Sequence, residues 1–120
     1  MDHISIPIAD AARTKAFYAA TLAPLGWACS GWRPGRYVGF KKAGSPALYF
    51  GVSTKVAPAH LAFKARAEDE VREFFRLALD SGGTDNGRPG LRPDYGVAYY
   101  AAFVLDPDGH NVEAVLGGVG

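Results

Sequence analysis

The sequence predicts an α+β protein built from two copies of one β-α-β-β-β unit, and three observations predict it. Two similar stretches, Asp2-His3-Ile4-Ser5-Ile6 and Ala59-His60-Leu61-Ala62-Phe63, begin their histidines 60 − 3 = 57 residues apart. At the same offset Phe17-Tyr18, Leu22 and Gly26 recur as Phe74-Phe75, Leu79 and Gly83. Each stretch alternates in polarity and leads into a segment with helical spacing, then into short apolar runs separated by Gly/Pro turns. Self-similarity at a fixed offset signals a repeated structural unit. The 120 residues suit one domain, with a first module over about 1–55 and a second over about 56–120.

From the N-terminus, Ile4, Ile6 and Ile8 fall on one face of a strand, with His3, Ser5 and Pro7 on the other. Asp10 is a good N-cap for a helix running to about Leu22, which Pro24 and Gly26 end. Strand candidates follow at Trp27–Trp32, Tyr37–Lys42 and Ala47–Val52, with turns at Pro34-Gly35 and Ala43-Gly44-Ser45-Pro46. The second copy opens with His60–Ala65, where Leu61 and Phe63 oppose His60, Ala62 and Lys64. A helix is expected from Glu68 to Asp80, because Val71, Phe74, Phe75, Ala78 and Leu79 form an apolar stripe. Its acidic first turn (Glu68, Asp69, Glu70) suits the positive end of the helix dipole, and Gly82-Gly83 stops it. Thr84–Gly96, with five Gly and Pro residues, reads as a long loop and a lid candidate. Strands at Val97–Leu105 and Asn111–Leu116 are joined by the turn Asp106-Pro107-Asp108-Gly109, where His110 is expected to be an exposed loop residue.

Composition narrows the function. A net charge of +1 and scattered arginines give no electrostatic case for nucleic acid or for an acidic membrane surface. Cys29 is the only cysteine, so an internal disulfide and a cysteine-based zinc site are both excluded. No signal peptide is visible, and no apolar run approaches the roughly 18 residues of a membrane span, so a soluble cytoplasmic protein is expected.

Strand parity brings three metal-ligand side chains to one face. His3 and His60 oppose the apolar residues of their strands, and Glu113 opposes Val112 and Ala114. Singly, each is more often a solvated surface residue; the duplication and the shared face are what single them out. Two imidazoles and one carboxylate suit a divalent Fe, Mn, Ni, Zn or Co ion and leave open positions for substrate. The same parity puts Tyr49 on the cavity side of its strand.

These residues carry a resemblance. Asp2-His3-Ile4-Ser5-Ile6-Pro7-Ile8-Ala9-Asp10, Lys15-Ala16-Phe17-Tyr18, His60-Leu61-Ala62-Phe63 and, most specifically, Asp106-Pro107-Asp108-Gly109-His110-Asn111-Val112-Glu113 resemble the vicinal oxygen chelate superfamily across essentially the whole chain. That family includes glyoxalase I, fosfomycin- and bleomycin-resistance proteins, methylmalonyl-CoA epimerase and extradiol dioxygenases. The resemblance implies two βαβββ modules in a U-shaped mixed sheet around a metal, helices on the outer face, and a homodimer. By position, His3, His60 and Glu113 match three of its ligand sites. The fourth, glutamate or glutamine in glyoxalases and epimerases, falls on Tyr49. Glyoxalase I uses that carboxylate in proton transfer, so the match does not extend to lactoylglutathione lyase activity.

Two functions are therefore expected in competition. One is a metal-dependent lyase, isomerase or dioxygenase acting on a small oxygen-rich substrate, with Tyr49, Trp32, Tyr100 and Arg92 as substrate contacts and Trp27 and Tyr99 as further wall residues. Tyr49 is the one catalytic candidate beyond the metal ligands. The other is a metal-independent ligand-binding or drug-sequestering protein of the bleomycin-resistance type.

Overall fold

The computed structural model describes residues 1–95 and 98–117. β1 (His3–Ile8) buries Ile6 and Ile8 and leaves His3 and Ser5 exposed, as its alternation requires. Ile4 departs from that pattern: it lies on the apolar face yet is 39% exposed. In α1 (Ala11–Thr21) Asp10 is the N-cap, its carboxylate accepting from the Arg13 amide at 3.0 Å. A 3₁₀ turn over Ala23–Leu25 then leads to β2 (Ala28–Arg33), β3 (Tyr37–Lys41) and β4 (Ala47–Val52). The plan repeats as β5 (His60–Lys64), α2 (Glu68–Asp80), β6 (Thr84–Leu91), β7 (Tyr100–Leu105) and β8 (Asn111–Leu116).

Each module is one four-stranded mixed sheet, in the order β1-β4-β3-β2 or β5-β8-β7-β6, with its helix on the outer face. β1–β4 and β5–β8 are parallel pairs and the remaining neighbours are antiparallel. No helix among the described residues is long and apolar enough to cross a membrane.

One core serves both modules. Phe17, Tyr18, Phe40 and Phe50 from the first join Phe63, Val71, Phe74, Val104 and Val112 from the second in a single buried cluster. Tyr18 stacks on Phe50 with ring centroids 4.2 Å apart. Burying one such ring contributes roughly 1.5–3 kcal/mol.

Two sequence expectations change. The segment expected to be a loop over Thr84–Gly96 is largely β6, paired with β7, and a short 3₁₀ turn follows at Pro93–Tyr95. Gly and Pro mimic a loop here because β6 is an edge strand, where proline's missing N–H costs no ladder bond, and its register shifts twice. Gly96, the end of that segment, and Val97, the expected start of the next strand, lie outside the described residues, as do Gly118, Val119 and Gly120.

The second correction is His110, which is fully buried. Its Nδ1 accepts from the Ala59 amide at 2.9 Å, and its Nε2 lies 2.8 Å from the Pro7 carbonyl oxygen. An amide can only donate and a carbonyl can only accept, so the ring is the neutral tautomer with its proton on Nε2. The turn that carries it works as the sequence suggests, with Gly109 at φ 88° and its amide donating to the Asp106 carbonyl at 2.9 Å.

Candidate functional site

The inner face of the second sheet carries the polar constellation. His60 stands at the start of β5 and Glu113 in β8, and His60 Nε2 is 2.9 Å from Glu113 Oε1. The Glu113 side chain is only 3% exposed, whereas that of His60 is 54% exposed. The other oxygen, Oε2, accepts from the Tyr99 hydroxyl. Burial, then the bond to Glu113, pushes the Tyr99 hydroxyl up to about 12, so it stays a donor across the neutral range.

Arg92 lies over the Phe103 ring at 5.5 Å and donates to the carbonyls of Arg88 at 2.6 Å and Gly90 at 2.9 Å. It thus satisfies backbone acceptors of the irregular end of β6. Phe103 is the register partner of Glu113, so both belong to this inner face.

The inner face of the first sheet is aromatic. His3 Nδ1 lies 2.7 Å from Asp2 Oδ1, and its ring meets Tyr49 edge-on at 5.9 Å. Tyr37 packs against the same Tyr49 at 6.1 Å. Gly39 makes this possible: a Cβ there would fall 2.7 Å from Tyr49 Cε1. Register fixes the correspondence between modules. Ser5 pairs with Tyr49 and Ala62 with Glu113, and 62 − 5 = 57, so Tyr49 occupies in the first module the place Glu113 holds in the second.

Of the sequence-selected residues, then, His60 and Glu113 are together, and His3 and Tyr49 are together. Within one protomer His3 forms no convergent group with the other two. Trp32 and Tyr100 are elsewhere. Trp32 is paired with the buried Val38 and lies under the Lys15 ammonium of α1 at 5.3 Å; the Tyr100 hydroxyl accepts from Arg72 of α2 at 3.3 Å. Both are on the helix side. Tyr99, not Tyr100, reaches the carboxylate, and parity with Phe103 four residues on was the signal that could have ranked it first.

A second cluster was not anticipated. Ligand atoms of Asp106, Asp108 and His110 lie within 4.8 Å of one another, a spacing a cation can bridge. Every one of those atoms already has a protein partner. Asp106 accepts from Tyr18 Oη at 2.5 Å and from the amides of Asp108 and His110 at 2.9 Å each. Asp108 Oδ1 accepts from the Ala9 amide and Arg13, both at 3.0 Å, while Thr14 Oγ1 lies 3.5 Å from Oδ2. With the His110 nitrogens also engaged, these residues join the start of α1 to the β7–β8 turn without a metal.

Both Glu113 oxygens are partnered as well, but the His60 side chain is 54% exposed, which leaves this pair open to an ion on one side. Two adjacent ligands of an octahedral ion, each roughly 2.1 Å from it, stand about 3 Å apart, close to the separation of these donor atoms.

Two β-α-β-β-β modules with imidazole and carboxylate donors on an inner sheet face define a class of protein. This chain belongs to the Glyoxalase/Bleomycin resistance protein/Dioxygenase superfamily, whose family model matches residues 1–114. Similar solved structures include a glyoxalase/bleomycin resistance protein from Albidiferax ferrireducens T118, 22% identical with a TM-score of 0.80, covering 98% of both chains. A glyoxalase-related enzyme from Fulvimarina pelagi is 23% identical with a TM-score of 0.78, covering 98% of this chain and 87% of its own. Lactoylglutathione lyase from Agrobacterium tumefaciens is 20% identical with a TM-score of 0.73, covering 98% of this chain and 93% of its own. At such identities the likeness is one of fold. No curated protein matches the sequence.

Proposed function

We propose that the protein is a cytoplasmic, divalent-metal-dependent enzyme of lyase, isomerase or dioxygenase type acting on a small oxygen-rich substrate. The observation that carries this is the His60 Nε2–Glu113 Oε1 approach of 2.9 Å on a carboxylate almost wholly removed from water. A buried carboxylate is costly unless it is paired or coordinates an ion. In this reading His60 and Glu113 supply two ligands and His3 of a second copy of the chain supplies the third. β1 and β5 are both edge strands, which a homodimer would cover.

When bound, such an ion polarises adjacent oxygens of a substrate as a Lewis acid. The chain's own residues do the rest. Tyr99 holds the second oxygen of Glu113 and so fixes the carboxylate's orientation, the usual work of groups behind a ligand. Tyr49, beside His3, offers a hydroxyl and an aromatic face to the substrate. It offers no carboxylate, so proton transfer of the glyoxalase I kind is not assigned to it.

One observation favours the second reading, a metal-independent binder of planar compounds: the Tyr37–Tyr49 pair beside His3 is an aromatic platform. Metal content measured by mass spectrometry on protein purified without chelators separates the two. About one bound ion per chain is expected, with at least ~100-fold weaker binding for Glu113→Ala or His60→Ala, beyond the 10–100-fold typical of groups behind the ligands. Mixing equal amounts of His3→Ala and His60→Ala chains is expected to restore one of the two sites in each mixed dimer, about a quarter of the wild-type sites when the chains pair at random. Wild-type protein that takes up no ion on reconstitution sinks this proposal in favour of the binder.

A further inference from the structure

β5 begins at His60, and the chain reaches it through a stretch, 53–59, that has neither helix nor strand. The His60 side chain is about half exposed, so burial does not hold it in place. The main chain just ahead of it does. The Ala59 carbonyl accepts from the Asn111 amide at 2.9 Å, and the Ala59 amide donates to His110 Nδ1, also at 2.9 Å. Two consecutive residues therefore grip both polar groups of the residue before His60. A continued parallel ladder would offer the Ala59 amide the carbonyl of residue 109, but Gly109, at φ 88°, belongs to the turn. The His110 ring supplies the missing acceptor. It can do so as a fixed group because it is fully buried and its Nε2 donates to the Pro7 carbonyl at 2.8 Å.

The first module lacks this clamp. His3 pairs with Ala47 as His60 pairs with Asn111, and the Ala47 amide likewise donates to the Asp2 carbonyl, at 3.0 Å. The residue in the place of His110 is Pro46, whose side chain has no donor or acceptor. The polar partner of the His3 ring is the Asp2 carboxylate, itself 96% exposed. The histidine that stands against a buried carboxylate is thus the one whose strand entry is clamped.

We propose that His110 is a positioning residue for the His60–Glu113 centre. By taking the Ala59 amide it extends the β5–β8 ladder one rung past the end of β8, and so fixes the His60 imidazole opposite Glu113. Its effect on metal affinity rests on the metal-dependent reading above; its placement of the His60 ring does not.

Two substitutions divide the work of the ring. Counted in bonds from Cβ, an asparagine Oδ1 stands where ring Nδ1 stands, and a glutamine amide nitrogen where ring Nε2 stands. His110→Asn therefore keeps an acceptor for Ala59 and strands the Pro7 carbonyl. His110→Gln keeps the donor to Pro7 and strands the Ala59 amide. Each loses one bond to the main chain, so the denaturation midpoints of both are expected to fall by similar amounts. Affinity for Zn²⁺ alone, measured by calorimetry on the full chain, is expected to stay at the wild-type value in His110→Asn and to weaken roughly tenfold or more in His110→Gln. Nitrogen NMR of the metal-free protein at mildly alkaline pH reads the His60 ring directly. The Glu113 carboxylate can only accept, so the neutral ring keeps its proton on Nε2 in the wild type and in His110→Asn. In His110→Gln a mixture of both tautomers is expected. The proposal is overturned if the two variants give the same His60 nitrogen shifts, or if they bind Zn²⁺ alike while the wild type binds it. A wild type that takes up no Zn²⁺ while the variants still differ in those shifts defeats the metal reading and supports this one.

Discussion

The two modules share a frame and differ in what they present. Both run strand, helix and three strands, both place a histidine at the head of the first strand, and register makes Tyr49 and Glu113 equivalent. Yet the first inner face is an open aromatic surface, whereas the second is a closed polar knot of His60, Glu113 and Tyr99. The apolar residues that set the strands recur in both halves, whereas the inward ones differ. The imidazole–carboxylate pair stands in the half that keeps a carboxylate, and the other half presents aromatic surface.

The helices differ in the same manner. α1 is anchored by a cap and by burial of Ala11, Thr14, Phe17, Tyr18 and Thr21. α2 has no side-chain cap and relies on its acidic first turn and a stripe of Val71, Phe74 and Ala78. The most damaging test of the comparison is Phe74→Ala. Because its ring sits in the core common to both halves, a loss of about 3–5 kcal/mol is expected in a single denaturation transition. Two separate transitions, with the first module unaffected, would show that the halves fold independently.

Next in size is Tyr18→Phe, which removes the bond from α1 to Asp106 in the opposite module at a cost of about 1–3 kcal/mol. It also carries a pH signature. Burial foremost, and then the Asp106 charge, raises the Tyr18 hydroxyl well above its ordinary value of 10.0. Above pH 10 the unfolded chain releases this proton while the native one keeps it, so the contribution is complete below pH 10 and is lost as pH climbs through the folded-state value. Denaturant titrations should show wild type losing stability more steeply than Tyr18→Phe on the alkaline side; parallel curves would deny Tyr18 that role. The smallest effect is Asp10→Ala, expected to cost about 1 kcal/mol through the lost cap, read as a lower midpoint in urea. A shift indistinguishable from zero would mean that tertiary burial alone holds α1.

The repeat was legible because period-2 alternation and the 57-residue offset are local properties of the chain. Both helices followed from a cap and an apolar stripe for the same reason. β6 was hidden, since Gly87, Pro89 and Gly90 read as a loop unless a neighbouring strand is known to supply partners on one side only. His110 was hidden more deeply. Its burial depends on Pro7 and Ala59, 103 and 51 residues away, and no local pattern encodes such contacts. In the site, parity found the face carrying Glu113 and His60 but missed that Tyr99 rather than Tyr100 caps the carboxylate. His3 lies in no common group with His60 and Glu113 within the chain; strand alternation fixes the face a side chain takes and not the neighbours it meets.

One imidazole answers two main-chain groups that belong to different halves of the molecule: the oxygen at the end of β1 and the amide just ahead of β5. A chain severed between β4 and β5 would leave the front piece with a stranded acceptor that water must satisfy.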